Sequence, residues 1–97
     1  VAALVEILLP VIGNRESAYR NIRKQLTEKF GGVTFHANAP AEGLWKDGEE
    51  TETDKIIVVE VMVDEIDREW WRRYRQELEA AFEQEEIVIR ATPIERL

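Results

Sequence analysis

The amino-acid sequence predicts an α+β domain on three observations. Two apolar runs, Leu4-Val5-Glu6-Ile7-Leu8-Leu9 and Ile56-Ile57-Val58-Val59-Glu60-Val61-Met62-Val63, have the length and β-branched content of strands. Two other segments repeat apolar residues at three- and four-residue steps, as helices do, and glycine, proline and asparagine punctuate the joints. The order along the chain is strand, helix, strand, strand, helix, strand. Each long strand run is broken by a single glutamate, Glu6 or Glu60. Because strand side chains alternate between faces, Val5, Ile7, Leu9 and Val11 form one core-facing row and Ile57, Val59, Val61 and Val63 the other, with both carboxylates on the opposite side.

Each element has a local cause. Residues 4–11 read as the first strand, after which Gly13-Asn14 turns the chain, with Asn14 as helix N-cap and Glu16 suited to the first turn. Tyr19, Ile22, Leu26 and Phe30 make the apolar stripe of the first helix, which Gly31-Gly32 stops. Residues 33–37 form a second strand with Val33, Phe35 and Ala37 on one face and Thr34 and His36 on the other. Residues 38–55 hold Pro40, Gly43 and Gly48 and read as loop chemistry around a hairpin tip, with Lys46-Asp47-Gly48-Glu49 as the turn. The third strand runs to Val63. Asp67 caps a second helix whose stripe is Trp71, Tyr74, Leu78 and Phe82, with Trp70 and Ala81 at its margins. Residues 87–92 close as a fourth strand.

A two-residue Asp47-Gly48 turn would set Phe35 opposite Glu60, against the face assignment. A one-residue bulge within 38–43, where Pro40 and Gly43 disrupt pairing, or a longer turn, restores apolar against apolar. Such an irregularity is expected.

This element order is the split βαβ, ferredoxin-like βαββαβ pattern: a four-stranded antiparallel sheet in the order 4-1-3-2, with two helices on one face. The other face is left open. Leu4, Leu8, Ile56, Val58 and Met62 lie there beside the two glutamates, an apolar surface that a homodimer packing sheet on sheet, or a small molecule, would cover.

Length and composition bound the rest. The 97 residues are expected to form one domain, 1–97, burying roughly two-thirds of the surface of its unfolded chain. A formal net charge of −7 argues against nucleic acid and anionic membrane as partners, since both require an extended basic surface. The absence of cysteine suits a cytoplasmic chain and removes thiol nucleophiles and thiolate metal sites. The apolar opening is too short to span a bilayer. The chain starts at Val1 without methionine, which leaves room for a native N-terminal extension.

Five groups of residues bear on function. Glu6, Glu60, His36 and Arg90 share the open face and are expected to form a row of alternating acid and base. They are either cross-strand pairs or an acid/base site in which a glutamate moves protons, His36 shuttles and Arg90 anchors an oxyanion. Thr34, Val58 and Met62 join them as candidate ligand or interface residues. Trp45, near the hairpin tip, is a lid, a dimer anchor or a cover for its own core. The run Glu49-Glu50-Thr51-Glu52-Thr53-Asp54 lacks the spacing of a calcium loop and reads as a solvated hairpin; with one histidine, no metal and no cofactor are expected. Arg68, Arg72, Arg73 and Arg75 have Glu69, Glu77 and Glu79 at helical spacings, which reads as a salt-laced solvent face. The central strands lack the aromatics of an RNA-recognition sheet, and no glycine loop for phosphate is present.

Finally, Ala39-Pro40-Ala41-Glu42-Gly43-Leu44-Trp45-Lys46-Asp47, Val59-Glu60-Val61-Met62-Val63-Asp64, Asp67 through Trp71, and Gln84-Glu85-Glu86-Ile87 to Arg90 resemble a group of small uncharacterised bacterial single-domain proteins. The resemblance implies a bacterial ferredoxin-like α+β protein of unknown function and assigns no catalytic residue. The residues themselves favour a homodimeric interaction or small-ligand-binding module using the open sheet face. The alternative is a cofactor-free acid/base enzyme, isomerase- or monooxygenase-like, on that same face.

Overall fold

The computed structural model describes residues 2–13, 15–47 and 50–97, with the backbone alone within 37–47 and 50–54. Its elements are β1 (Ala3–Pro10), α1 (Glu16–Phe30), β2 (Thr34–Asp47), β3 (Glu50–Val63), α2 (Arg68–Ala81) and β4 (Ile89–Pro93). The sheet is antiparallel in the order β2-β3-β1-β4, the expected ferredoxin-like order. Burial along β1 alternates without a break, because one face meets the helices and the other does not.

Val5, Ile7 and Leu9 of β1 and Val59, Val61 and Val63 of β3 pack with Ile22 and Leu26 of α1 and Trp71, Tyr74, Leu78 and Phe82, and all are buried. Val11 departs from its expected row and is 47% exposed, because β1 pairing ends at Pro10. Ile57 is only half-buried, whereas Ile56, expected on the open face, is 5% exposed. Ile56 pairs with both Pro10 and Ala41, at the level where the register of β2 shifts.

That shift is the expected irregularity, larger than a one-residue bulge. His36 pairs with Val58 and Ala41 with Ile56, so four residues, 37–40, stand against Ile57 alone. Phe35 thereby faces Val59, apolar against apolar, as the face rule requires. Beyond the shift, residues read as loop continue as paired strand to Asp47 opposite Glu50, so β2 and β3 extend as one long hairpin. Asp47 is a strand residue and not a turn centre, while Gly48 and Glu49 lie outside the described residues.

The helix ends follow local chemistry. Asn14 lies outside the described residues; the residue before α1 is Arg15, whose side chain makes no capping bond. Gly31 ends α1 in the left-handed region, φ 84°, donating its N–H to Thr27 O at 2.8 Å. Asp67 caps α2 as expected, accepting from the Trp70 N–H at 3.1 Å. α2 has no glycine stop, and Glu83 takes the left-handed conformation instead, φ 53°, with its carboxylate on Arg15 at 3.1 Å. The Glu79 carboxylate accepts the Ile87 N–H at 3.0 Å, and β4 begins at Ile89 rather than residue 87.

An aromatic layer joins the helices. Phe30 stacks on Trp71 at 5.3 Å and Trp70 on Tyr74 at 4.9 Å, with Lys29 over the Trp70 ring at 4.7 Å. Trp71 is buried and Trp70 half-buried, as their places on the stripe and its margin require.

Tyr74 is buried with a hydroxyl that has no partner among the described residues. Burial, followed by the nearby Glu77 charge, pushes the hydroxyl well above its ordinary value near 10. Its folded pKa exceeds its unfolded one, so the stabilising contribution is whole below 10 and is lost as pH rises beyond it. Tyr74→Phe should change stability by no more than about 1 kcal/mol at neutral pH, since no hydrogen bond is removed. It should also flatten the alkaline fall in stability, as thermal melts across the alkaline range would reveal.

Candidate functional site

Register alone assembles the row on the open face. Arg90 of β4 stands opposite Glu6 of β1, and Glu6 stands opposite Glu60 of β3. Glu60 faces Thr34 of β2 and reaches His36 two residues along. All four candidate acid/base residues are thus brought into one line, one from each strand. Their order is base, acid, acid, base, which corrects the expected alternation.

Arg90 Nε donates to Glu6 Oε1 at 3.1 Å, and His36 Nε2 lies 2.8 Å from Glu60 Oε1. An ionised carboxylate only accepts, so Nε2 carries the proton in this contact. The two carboxylate side chains are 19% and 29% exposed, against 47% for His36 and 58% for Arg90. The acids therefore lie close to the sheet and the bases cover them from outside. Like charges directly opposite destabilise a strand pair, and the flanking Arg90 and His36 contacts offset this by roughly 0.2–1 kcal/mol each. Chemically, His36 and Glu60 have the contact an acid/base pair needs, while Arg90 holds the Glu6 side chain in place.

The remaining candidates divide. Thr34 is exposed, Val58 half-buried and Met62 53% exposed. Leu4, Thr34, Glu60 and Met62 line a hollow of about 440 Å³ together with Phe30, Val33, the Gly31-Gly32 backbone and Arg96. Glu6, His36 and Arg90 are not among its walls, so this hollow joins only part of the row. Arg96 is the residue sequence reasoning missed: it follows the last strand, where no periodicity signals a face. The Trp45 side chain, expected as lid, anchor or cover, lies outside the described ones. Among the described residues no group of three His, Cys, Asp or Glu is placed to hold a metal ion. Among them too, no helix is long and apolar enough to cross a membrane.

Sheet order, helix placement and the open face define a ferredoxin-like α+β protein. No family model matches the chain, and no curated protein matches it in sequence. Its structure is similar to the divalent cation tolerance protein Cut A1 from Thermus thermophilus, at 18% identity and TM-score 0.68, over 99% of this chain and 86% of that one. It is also similar to the periplasmic divalent cation tolerance protein CutA from Archaeoglobus fulgidus, at 18% identity and TM-score 0.64, with 99% and 86% covered. CutA1 from Oryza sativa follows at 16% identity and TM-score 0.67, with 98% and 81% covered. At such identities the likeness is one of fold. These neighbours carry a family name, where the resemblance in sequence pointed to proteins of unknown function.

The row yields a stability test. Glu60→Gln removes one of two facing carboxylates while keeping side-chain size, so the fold should persist with a change of about 1 kcal/mol or less in a denaturant melt. A much larger loss would mean that the Glu60 charge is structural.

Proposed function

We propose that this chain is a self-associating module whose open sheet face is its interaction surface, two copies packing sheet on sheet being the simplest closure. One observation carries this: Leu4, Leu8, Val58 and Met62 lie on the face without helix cover, around a central ion-paired row, and Met62 is 53% exposed. An apolar patch with a polar line through it suits an interface in which the patch supplies burial and the ion pairs supply register. In this proposal residues 1–97 act as one domain, and the hollow beside Thr34, Glu60 and Met62 takes a small molecule at the rim of the interface. We also place the chain in the cytoplasm of a bacterium, on its lack of cysteine and its resemblance to small bacterial proteins.

Met62→Glu buries a charge in such an interface and should weaken self-association at least tenfold, roughly the effect of losing an interface anchor. Sedimentation equilibrium of wild type and variant reads this directly. A wild-type chain that stays monomeric at every concentration sinks the proposal.

Divalent cation tolerance, the property named for the structural neighbours, is favoured here by the fold likeness and by the facing carboxylates of Glu6 and Glu60. A cation there would need further ligands from a second copy or from water. Calorimetric titration of first-row divalent cations should then show binding that Glu6→Gln with Glu60→Gln removes. Equal binding by wild type and double variant would dismiss this site.

A further inference from the structure

The cluster of arginines on α2 is left unused by the open face. Four of the nine arginines fall within residues 68–75, in a chain of net charge −7, so this concentration opposes the overall balance. Their expected role was a salt-laced solvent face. Among the described residues, however, that lacing reduces to Arg75 Nε and Glu79 Oε2 at 3.9 Å, and the same Glu79 oxygen already accepts the Ile87 N–H at 3.0 Å. Arg68 and Arg72 make no ion pair among the described residues. Like charges at helical neighbour spacings repel, so the fold leaves an electrostatic strain that an external anion would relieve.

The surroundings have the shape of a site. Arg68, Arg72 and Arg75 stand at i, i+4 and i+7 of α2, spanning about 10 Å of its axis, and together line a cleft of about 770 Å³ between α2 and β4. It is larger than three other hollows, of about 440, 530 and 580 Å³. Arg73 is not part of it and lines a different hollow with Lys29 and Trp70. The cleft floor is Ala3, Val5 and the buried Trp71, and Glu65 is its one carboxylate. Arg90 also borders the cleft, although its guanidinium reaches across to Glu6. The far wall is β4, an edge strand, whose outward backbone N–H groups are unpaired within the sheet among the described residues.

We propose that this cleft binds a small, extended polyanion of the oligophosphate class, held by Arg68, Arg72 and Arg75. Guanidinium forks match phosphate oxygens in pairs, and three of them in file suit two or three linked phosphates better than one compact anion. The overall charge of −7 still disfavours long polyanions such as nucleic acid, which would overlap the acidic remainder of the surface. The cleft lies on the helix side of the sheet, so it stands independently of the self-association proposed for the open face.

The probe is inorganic tripolyphosphate, titrated calorimetrically into the full chain at low ionic strength. One-to-one binding is expected, weakening as salt is raised. Arg68→Gln, Arg72→Gln and Arg75→Gln should each lower affinity about tenfold, the usual effect of losing one charge-assisted contact. Arg20→Gln with Lys24→Gln on α1 removes equal or greater charge at a distance and should leave affinity within about twofold. Circular dichroism establishes that each variant is folded, as expected for exposed positions. Any of three results overturns the proposal: no binding at millimolar tripolyphosphate, equal loss in the α1 variant, or equal affinity for the compact trianion citrate.

Discussion

The antiparallel pairing of β1 with β3 is the constraint on which the rest of this structure depends. With Ile7 opposite Val59, the two apolar rows fall on one face and Glu6 is forced against Glu60 on the other. A slip of one residue would turn one strand over relative to the other and put its carboxylate beneath the helices, where nothing is placed to pair with it. The hydrophobic core and the polar row are thus two consequences of one register. Tyr19, Phe30, Trp70, Trp71 and Tyr74 then tie the helices to each other over that core.

Two like charges at the centre of a sheet also determine what must sit at its edges. Arg90 on β4 and His36 on β2 supply the compensation, each from the neighbouring strand, and each less buried than the acid it covers. The outcome is a polar line across an apolar field, a surface with strong preferences about how another copy could lie on it. On the helix side the electrostatics are reversed. There Arg68, Arg72 and Arg75 of α2 face an edge strand across a cleft, so the two sides present different chemistry: an acidic, apolar plane and a basic groove.

Most of the architecture was legible because the chain is locally consistent. The stripe Trp71, Tyr74, Leu78, Phe82, the cap Asp67 and the stop Gly31 each have a short-range cause, and each is found where sequence periodicity puts it. The open-face row was legible by parity, since alternation needs only the strand order. Its base-acid-acid-base order follows from the strand order 4-1-3-2 as well; what was not legible is the exact partner of each β2 residue, because the register shift between His36 and Ala41 is set by how four residues fold against one. The start of β4 was misplaced by two residues: the strand begins at Ile89, and the Ile87 N–H goes to Glu79, eight residues away on α2.

By itself, the sequence determined the element order, the two faces of the sheet and the residents of each apart from Val11, Ile56 and Ile57, because these follow from periodicities of two and 3.6 and from residues with strong terminal preferences. Tertiary structure alone decided the register shift in β2, the length of the β2–β3 hairpin and the pairing of Glu79 with Ile87. It alone also decided that Arg68, Arg72 and Arg75 line one cleft, with only Arg75 of the three reaching a carboxylate of its own helix among the described residues. These depend on contacts between residues distant in the chain, whose energies have no imprint in local spacing.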